Sequence, residues 1–269
     1  KMFYPPKEKV MRVVAITDST ANSLVIAIEQ NGDARAYPIE LIGYHHQLLD
    51  TIGGGSVLVT YCTVCRTGRA WKPVVNGEPE TFRLVGMDHF NAMFEDSRTG
   101  SWWRQVSGEC IAGPLKGQRL DEIPSSQFTL GEFAGVYPNG LVFQPDPNFT
   151  EQYAGLEGFD NGTIASGLEY RDTASWQPKS WVVGVIHKGQ ARAYDWNDLS
   201  RLGAINDTIS GDSIVVSQPN VIWSSRDTSF KSDTLAFLVT TTYERISAYQ
   251  EFWHSWRTFH PNTTRYEPR

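Results

Sequence analysis

The strongest constraint on this chain is internal. Displaced by 157 residues, positions 24–60 align without a gap on positions 181–217, and twelve of the 37 pairs are identical. Val25 falls on Val182, Gly32 on Gly189, and Ala34-Arg35-Ala36-Tyr37 on Ala191-Arg192-Ala193-Tyr194. Asp50-Thr51-Ile52 falls on Asp207-Thr208-Ile209, while Gly54, Ser56 and Val59 fall on Gly211, Ser213 and Val216. Self-similarity at a fixed spacing marks one supersecondary unit used twice.

That unit can be read residue by residue. The apolar run 24–28, the turn Asn31-Gly32-Asp33 and residues 34–37 form a hairpin signature. Pro38 opens a helical turn over 38–42, because proline fits the first helical position. Gly53-Gly54-Gly55 is a turn, and residues 57–61 are a buried strand. Nine Trp, eleven Tyr and thirteen Phe beside 23 Gly and 14 Pro favour short strands and turns over long helices. The expected fold is α+β and predominantly β, an internally duplicated hairpin–helical turn–strand unit forming a pseudo-symmetric single domain over 1–269. Its first half spans 12–143, a loop-rich connection 144–180, and its second half 181–269. Residues 1–11 read as an extended lead-in. Strands are expected at 81–85 and 91–96, a turn over 96–100 leading into 101–105, a short helix at 130–134, and a further strand at 235–239. An aromatic helix over 251–261 is stopped by Pro261.

The alignment also sets one copy against the other. Cys62-Thr63-Val64-Cys65 ends the first copy, with Tyr44-His45-His46 one strand upstream. In the second copy His45 and His46 become Leu202 and Gly203, and Tyr61 and Cys62 become Gln218 and Pro219. Shared positions are expected to be architectural, and special chemistry is expected where only the first copy carries the groups.

Thiolate and imidazole together suit copper or zinc, which makes Cys62, Cys65, His45 and His46 the candidate metal ligands. An acidic group such as Asp50, Glu109 or Asp96 would orient a ligating histidine. His89, Arg98, Gln105, Glu109, Cys110 and Asp50 are candidates for the cleft or the shell behind the ligands. One rival reading is a thiol–disulfide redox pair of Cys62 and Cys65. Against it, the thioredoxin type of CxxC opens a helix, whereas Arg66-Thr67-Gly68 and Ala70-Trp71 turn back into a strand. The other rival is a structural disulfide, or buried thiols, in a non-catalytic interaction domain. Cys110 reads as a buried small residue, and His254 and His260 as packing or capping residues.

Composition narrows the classes. A net charge of −6 with no basic run argues against nucleic acid. No apolar run reaches the roughly 18 residues of a transmembrane helix. No Lys-Ser/Thr follows the glycines at 53–55, so neither a phosphate loop nor a nucleotide cofactor is expected. Three cysteines are too few and odd for a disulfide scaffold. Asn148, Asn161, Asn206 and Asn262 each begin a glycosylation-type tripeptide.

Several motifs together resemble a known family. They are Asn31-Gly32-Asp33-Ala34-Arg35-Ala36-Tyr37-Pro38, Asp50-Thr51-Ile52-Gly53-Gly54, and Val59-Thr60-Tyr61-Cys62-x-x-Cys65-x-Thr67-Gly68. Further along are Arg98-Thr99-Gly100-Ser101-x-Trp103 with Gln105, Gly108-Glu109-x-Ile111-Ala112-Gly113-Pro114-Leu115, and Phe252-Trp253-x-x-Trp256-x-x-Phe259-x-Pro261-x-Thr263. This set resembles the prokaryotic domain of unknown function 3179 family over most of the chain. The resemblance implies no activity. It does imply export, to the periplasm, the cell surface or the medium, with a signal segment expected to have been removed ahead of Lys1. The chain departs from the family at Tyr44-His45-His46 for Trp-His-Glu, at Thr63-Val64 for Pro-Leu, and at Cys110 for Ala. His46 in place of the acidic residue would add a ligand. The expected function is an exported transition-metal-binding protein, copper ahead of zinc, and if an enzyme a metal-dependent oxidoreductase.

Overall fold

The computed structural model describes residues 3–157, 159, 171–217, 221–225 and 243–268, with 221–225 and 243–245 described by backbone alone. The expected strand at 235–239 and the tripeptide at Asn161 lie outside these residues. The fold is α+β and predominantly β, in two compact units, Lys1–Arg171 and Asp172–Arg269. Among the described residues no helix is long and apolar enough to cross a membrane.

The first unit begins with β1 (Met11–Arg12), β2 (Leu24–Gln30), β3 (Asp33–Pro38), α1 (Ile39–His45), β4 (Gln47–Ile52), β5 (Gly55–Cys62) and β6 (Thr67–Trp71). It continues with β7 (Val74–Val75), β8 (Glu78–Pro79), β9 (Phe82–Asp88), β10 (Asn91–Asp96), β11 (Trp102–Arg104) and β12 (Cys110–Ala112). It closes with β13 (Glu122–Ile123), β14 (Ser126–Thr129), α2 (Leu130–Val136), β15 (Leu141–Phe143) and α3 (Thr150–Ala154). Three sheets have the orders β1-β15-β3-β2-β14, β13-β6-β5-β4 and β12-β11-β10-β9, and β7-β8 is a separate ribbon. The second unit holds β16 (Trp181–His187), β17 (Gln190–Asp195), α4 (Trp196–Leu202), β18 (Ala204–Ile209), β19 (Asp212–Ser217) and β20 (Val221–Ser225). After these come β21 (Tyr243–Arg245), β22 (Ser247–Phe252), α5 (Trp253–Phe259) and β23 (Thr264–Arg265), in sheets β22-β16-β17-β23 and β18-β19-β20-β21.

The turns explain the hairpins. Asn31 and Gly32 sit at φ 51° and 81°, the paired positive values that a two-residue hairpin turn requires. Lys188 and Gly189 do the same at 47° and 77° between β16 and β17. Both units bury a matched core. Val183, Val185, Tyr194, Leu199, Ile205, Ile209, Ile214 and Val216 form the second unit's cluster, and each lies 157 positions after a member of the first unit's core. Those partners are Ile26, Ile28, Tyr37, Ile42, Leu48, Ile52, Val57 and Val59.

Polar residues shared by the two aligned segments tie these elements together. Asp50 accepts from the Tyr37 hydroxyl at 2.6 Å and pairs with Lys9 at 2.5 Å and Arg35 at 3.8 Å. Asp207 accepts from the Tyr194 hydroxyl at 2.7 Å and from Arg192 at 2.6 Å. Asp50, a candidate for the shell behind the metal ligands, thus binds a strand to its neighbour.

Two expected elements differ. Residues 251–252 belong to β22 rather than to the aromatic helix, because Phe252 and Glu251 are paired with Trp181 and Val182 of β16. The stretch expected as loop contains α3, preceded by a 3-10 turn at Pro147–Phe149 whose Asp146 carboxylate caps the Asn148 amide at 2.9 Å.

Candidate thiol site

β5 and β6 are adjacent antiparallel strands, and Cys62 pairs with Thr67 at the last rung before the turn. The CxxC is therefore a hairpin turn, with Arg66 in the left-handed region at φ 58°. Cys62 and Cys65 are both buried and free, with sulfurs 2.8 Å apart. Both thiols face the Phe90 carbonyl, at 3.5 and 3.6 Å.

This surrounding makes Cys62 a better thiolate than an ordinary cysteine. Burial pushes its pKa up, but the Cys65 thiol and the backbone N–H groups of Cys65, Ala92 and Val64 outweigh that and hold it below the usual range. Donors from the turn and from β10 do here what a helix N-terminus does in a thioredoxin-type site.

Behind Cys65 stands a fixed amide. Asn91, at the start of β10, donates Nδ2–H to the Cys65 sulfur at 3.3 Å and to Gln105 Oε1 at 3.0 Å. Its Oδ1 accepts from the Val106 N–H at 3.0 Å, which sets the amide's orientation. Gln105 is anchored in turn on Thr60 Oγ1 at 3.2 Å and the Thr67 carbonyl at 3.1 Å. Asn91 and Gln105 are fully buried.

The histidines part ways. His45 is wedged among Phe143, Phe149 and Tyr153. Its Nδ1 lies 2.6 Å from the Tyr4 carbonyl and its Nε2 2.7 Å from the Tyr153 hydroxyl, so both ring nitrogens are engaged within that packing. His46 donates Nδ1–H to the Tyr61 carbonyl at 3.0 Å, which leaves the lone pair on Nε2. Burial lowers both imidazole pKa values, keeping the rings neutral near pH 7. His46 and Cys62 line one cavity of about 740 Å³, with Gln47, Thr63, Val64, Phe90 and the whole run 83–87 on its walls.

The other candidates lie elsewhere. His89 is exposed on the β9–β10 turn and bonded to Asp88 at 2.9 Å. Arg98 bonds the Pro79 carbonyl at 2.5 Å, and Glu109 pairs with Arg104 and Arg119, both at 3.3 Å. Cys110 packs with Leu58, Trp71 and Trp103, in a different cluster from Cys62 and Cys65, and burial raises its thiol pKa. Among the described residues no three His, Cys, Asp or Glu side chains gather closely enough to hold a metal ion. Sequence reasoning named Gln105 and passed over Asn91. The one local signal for Asn91 was a strand-averse amide opening an apolar strand.

A family model described as "Protein of unknown function (DUF3179)" matches residues 7–263. The chain belongs to the DUF3179 family. No curated protein and no solved structure matches it. Membership in DUF3179 covers both units and both halves of the internal alignment, so the thiol pair and its amide shell sit inside the family's matched region.

Proposed function

We propose that the Cys62–Cys65 pair is a thiol–disulfide couple of an exported protein. The observation that supports this best is the donor-lined turn that holds Cys62 below the usual thiol range while keeping the Cys65 sulfur 2.8 Å away. In the forward direction the Cys62 thiolate attacks one sulfur of a partner disulfide. A mixed disulfide forms, and the partner's other sulfur leaves as a thiolate, taking the Cys65 proton. The Cys65 thiolate then attacks the Cys62 sulfur, closing the Cys62–Cys65 bond and releasing the partner's second sulfur as a thiolate, which takes a proton from water. Two electrons pass from the pair to the partner. Asn91 Nδ2–H lies where it stabilises charge on Cys65 in either direction. An oxidising compartment outside the cytoplasm lets the bridged form persist.

Limited alkylation across pH, read by peptide mass, tests the reading. Cys62 should react before Cys65, with a midpoint below that of a free thiol. Cys65→Ser should trap a mixed disulfide on Cys62 when the protein meets a small aromatic disulfide. Equal, slow modification of both thiols, with no trapped adduct, would sink the proposal.

A second reading keeps the metal, copper ahead of zinc. Two thiols on one turn, with His46 beside the same cavity, suit a soft monovalent cation that accepts two thiolates, whereas a tetrahedral zinc centre takes four ligands. Copper bound after repletion, and absent from Cys62→Ser, would favour it; His45→Ala, whose ring is committed elsewhere, should bind as the parent does.

A further inference from the structure

The cavity beside Cys62 has an unusual wall. Among the described residues β9 is the edge strand of its sheet, hydrogen-bonded to β10 alone in the order β12-β11-β10-β9. Arg83, Leu84, Val85, Gly86 and Met87 all line the cavity. Successive side chains of a strand point to opposite faces, so a cavity over one face would meet every second residue. A cavity that meets five in a row runs along the strand's edge.

Gln47 identifies which groups that edge offers. Its Nε2–H donates to the Phe82 carbonyl at 2.6 Å, so Phe82 turns its backbone polar groups away from β10. In an antiparallel ladder one residue's N–H and C=O share an edge, and alternate residues share the same one. Leu84 therefore directs its N–H and C=O to the cavity side. The register then shifts, Met93 facing Gly86 and Phe94 facing Leu84, which leaves Val85 as an extra residue in the strand.

The lining chemistry narrows the occupant. Leu84, Val85, Met87 and Phe90 are apolar, and Met87 is 54% exposed. Apart from Cys62 itself, Arg83 is the one charged side chain among the described residues of the wall, and Glu95 already pairs with it at 2.5 Å. A small disulfide bearing several charges would find no free counter-charge there.

We infer that this edge receives an extended, uncharged polypeptide segment, which adds to the sheet beside β9 and brings its own cysteine or disulfide to Cys62. Backbone hydrogen bonds supply the affinity in such strand addition, and side-chain hollows supply the choice of partner. Five strand residues span about 16 Å, room for a partner strand of similar length. The chemistry at Cys62 rests on the thiol reading above; the docking does not.

The test separates the two. Cys62→Ser/Cys65→Ser protein, which cannot exchange, is titrated with an end-capped, fluorescent peptide of alternating valine and threonine. Saturable binding is expected, with slowed hydrogen exchange at the Leu84 amide. Leu84→Pro, which deletes an N–H directed away from β10, should weaken binding about tenfold. Met87→Asp, at an exposed position, should weaken it comparably and guards against misfolding of the proline variant. Unchanged affinity in both variants overturns the inference. So does failure of the peptide to bind while the unsubstituted protein exchanges with small charged disulfides, a result that leaves the thiol reading standing. Peptide binding without any exchange in the unsubstituted protein supports the docking edge and removes the thiol reading.

Discussion

Truncating Asn91 to alanine removes three buried hydrogen bonds at once, to Cys65, Gln105 and Val106. The methyl group leaves the Val106 N–H and Gln105 Oε1 without the partner that satisfied them. A buried polar group stripped of its partner costs about 1–3 kcal/mol, so the two together come to about 2–6 kcal/mol. Gln105→Ala breaks the same Asn91–Gln105 bond from the other side. In the double variant that bond is lost only once and the orphaned Gln105 oxygen is gone. The pair should therefore cost about 1–2 kcal/mol less than the sum of the single changes. Pulsed alkylation of Cys110 along a urea series measures this in the first unit, since that thiol is fully buried and packs in a different cluster from Cys62 and Cys65. Reductant is kept in excess so that Cys62 and Cys65 stay as thiols throughout. Strict additivity, or a cost below about 0.5 kcal/mol for Asn91→Ala, would refute the shell as described.

Two further outcomes follow from the geometry. His45 and His46 titrate below the usual imidazole value in the folded state because they are buried, so the unfolded chain takes up their protons first. First-unit stability should be complete above about pH 6.5 and decline as pH falls below it, ahead of the loss tied to the depressed carboxylates. Among these carboxylates, Asp146 titrates at about 2: burial raises it, but the Glu8, Lys7 and Asn148 N–H groups outweigh burial, so its contribution is lost only as pH falls from about 3.9 toward 2. Urea midpoints by near-UV circular dichroism should show the two steps, and His45→Gln/His46→Gln should remove the upper one; a midpoint unchanged between pH 7.5 and 5.5 contradicts the reasoning. In the second unit, Gly184→Ala would place a methyl carbon 2.0–2.3 Å from the Trp256 ring, and it should cost about 3 kcal/mol or more in thermal or urea unfolding followed by tryptophan fluorescence. Ala27, the corresponding residue of the first unit, already carries that methyl, so the reverse change there should be mild.

The hairpins and cores were legible because their signals are local. Turn pairs such as Asn31-Gly32 declare a positive φ, and the apolar spacing within each aligned copy marks one face of each strand. Asn91 was not legible, because its role depends on β10 arriving beside the β5–β6 turn from 26 residues away. Nothing near Asn91 in sequence states that pairing. His45 was grouped with His46 by adjacency alone, yet consecutive residues at the end of a helix project in different directions. The structure accordingly sends one ring into the Tyr153 packing and the other to the wall shared with Cys62.

His46 has a counterpart in the second unit. It ends α1 in the left-handed region at φ 61°, with its N–H on the Ile42 carbonyl at 2.8 Å. Gly203 ends α4 in the corresponding place at φ 73°, with its N–H on the Leu199 carbonyl at 2.8 Å. Glycine adopts this conformation without cost, whereas a side chain there costs about 1 kcal/mol or more. Within the aligned segments the other left-handed positions also correspond, Asn31 with Lys188, Gly32 with Gly189 and Gly53-Gly54 with Ser210-Gly211, so the backbone keeps its path there whatever residue occupies it. Histidine at one helix end and glycine at the other are therefore a difference of side chain on similar turns. A purely architectural account predicts glycine at both helix ends. The His46 ring holds the Tyr61 carbonyl one residue before Cys62 and lines the cavity that Cys62 also lines, contacts that a glycine cannot make.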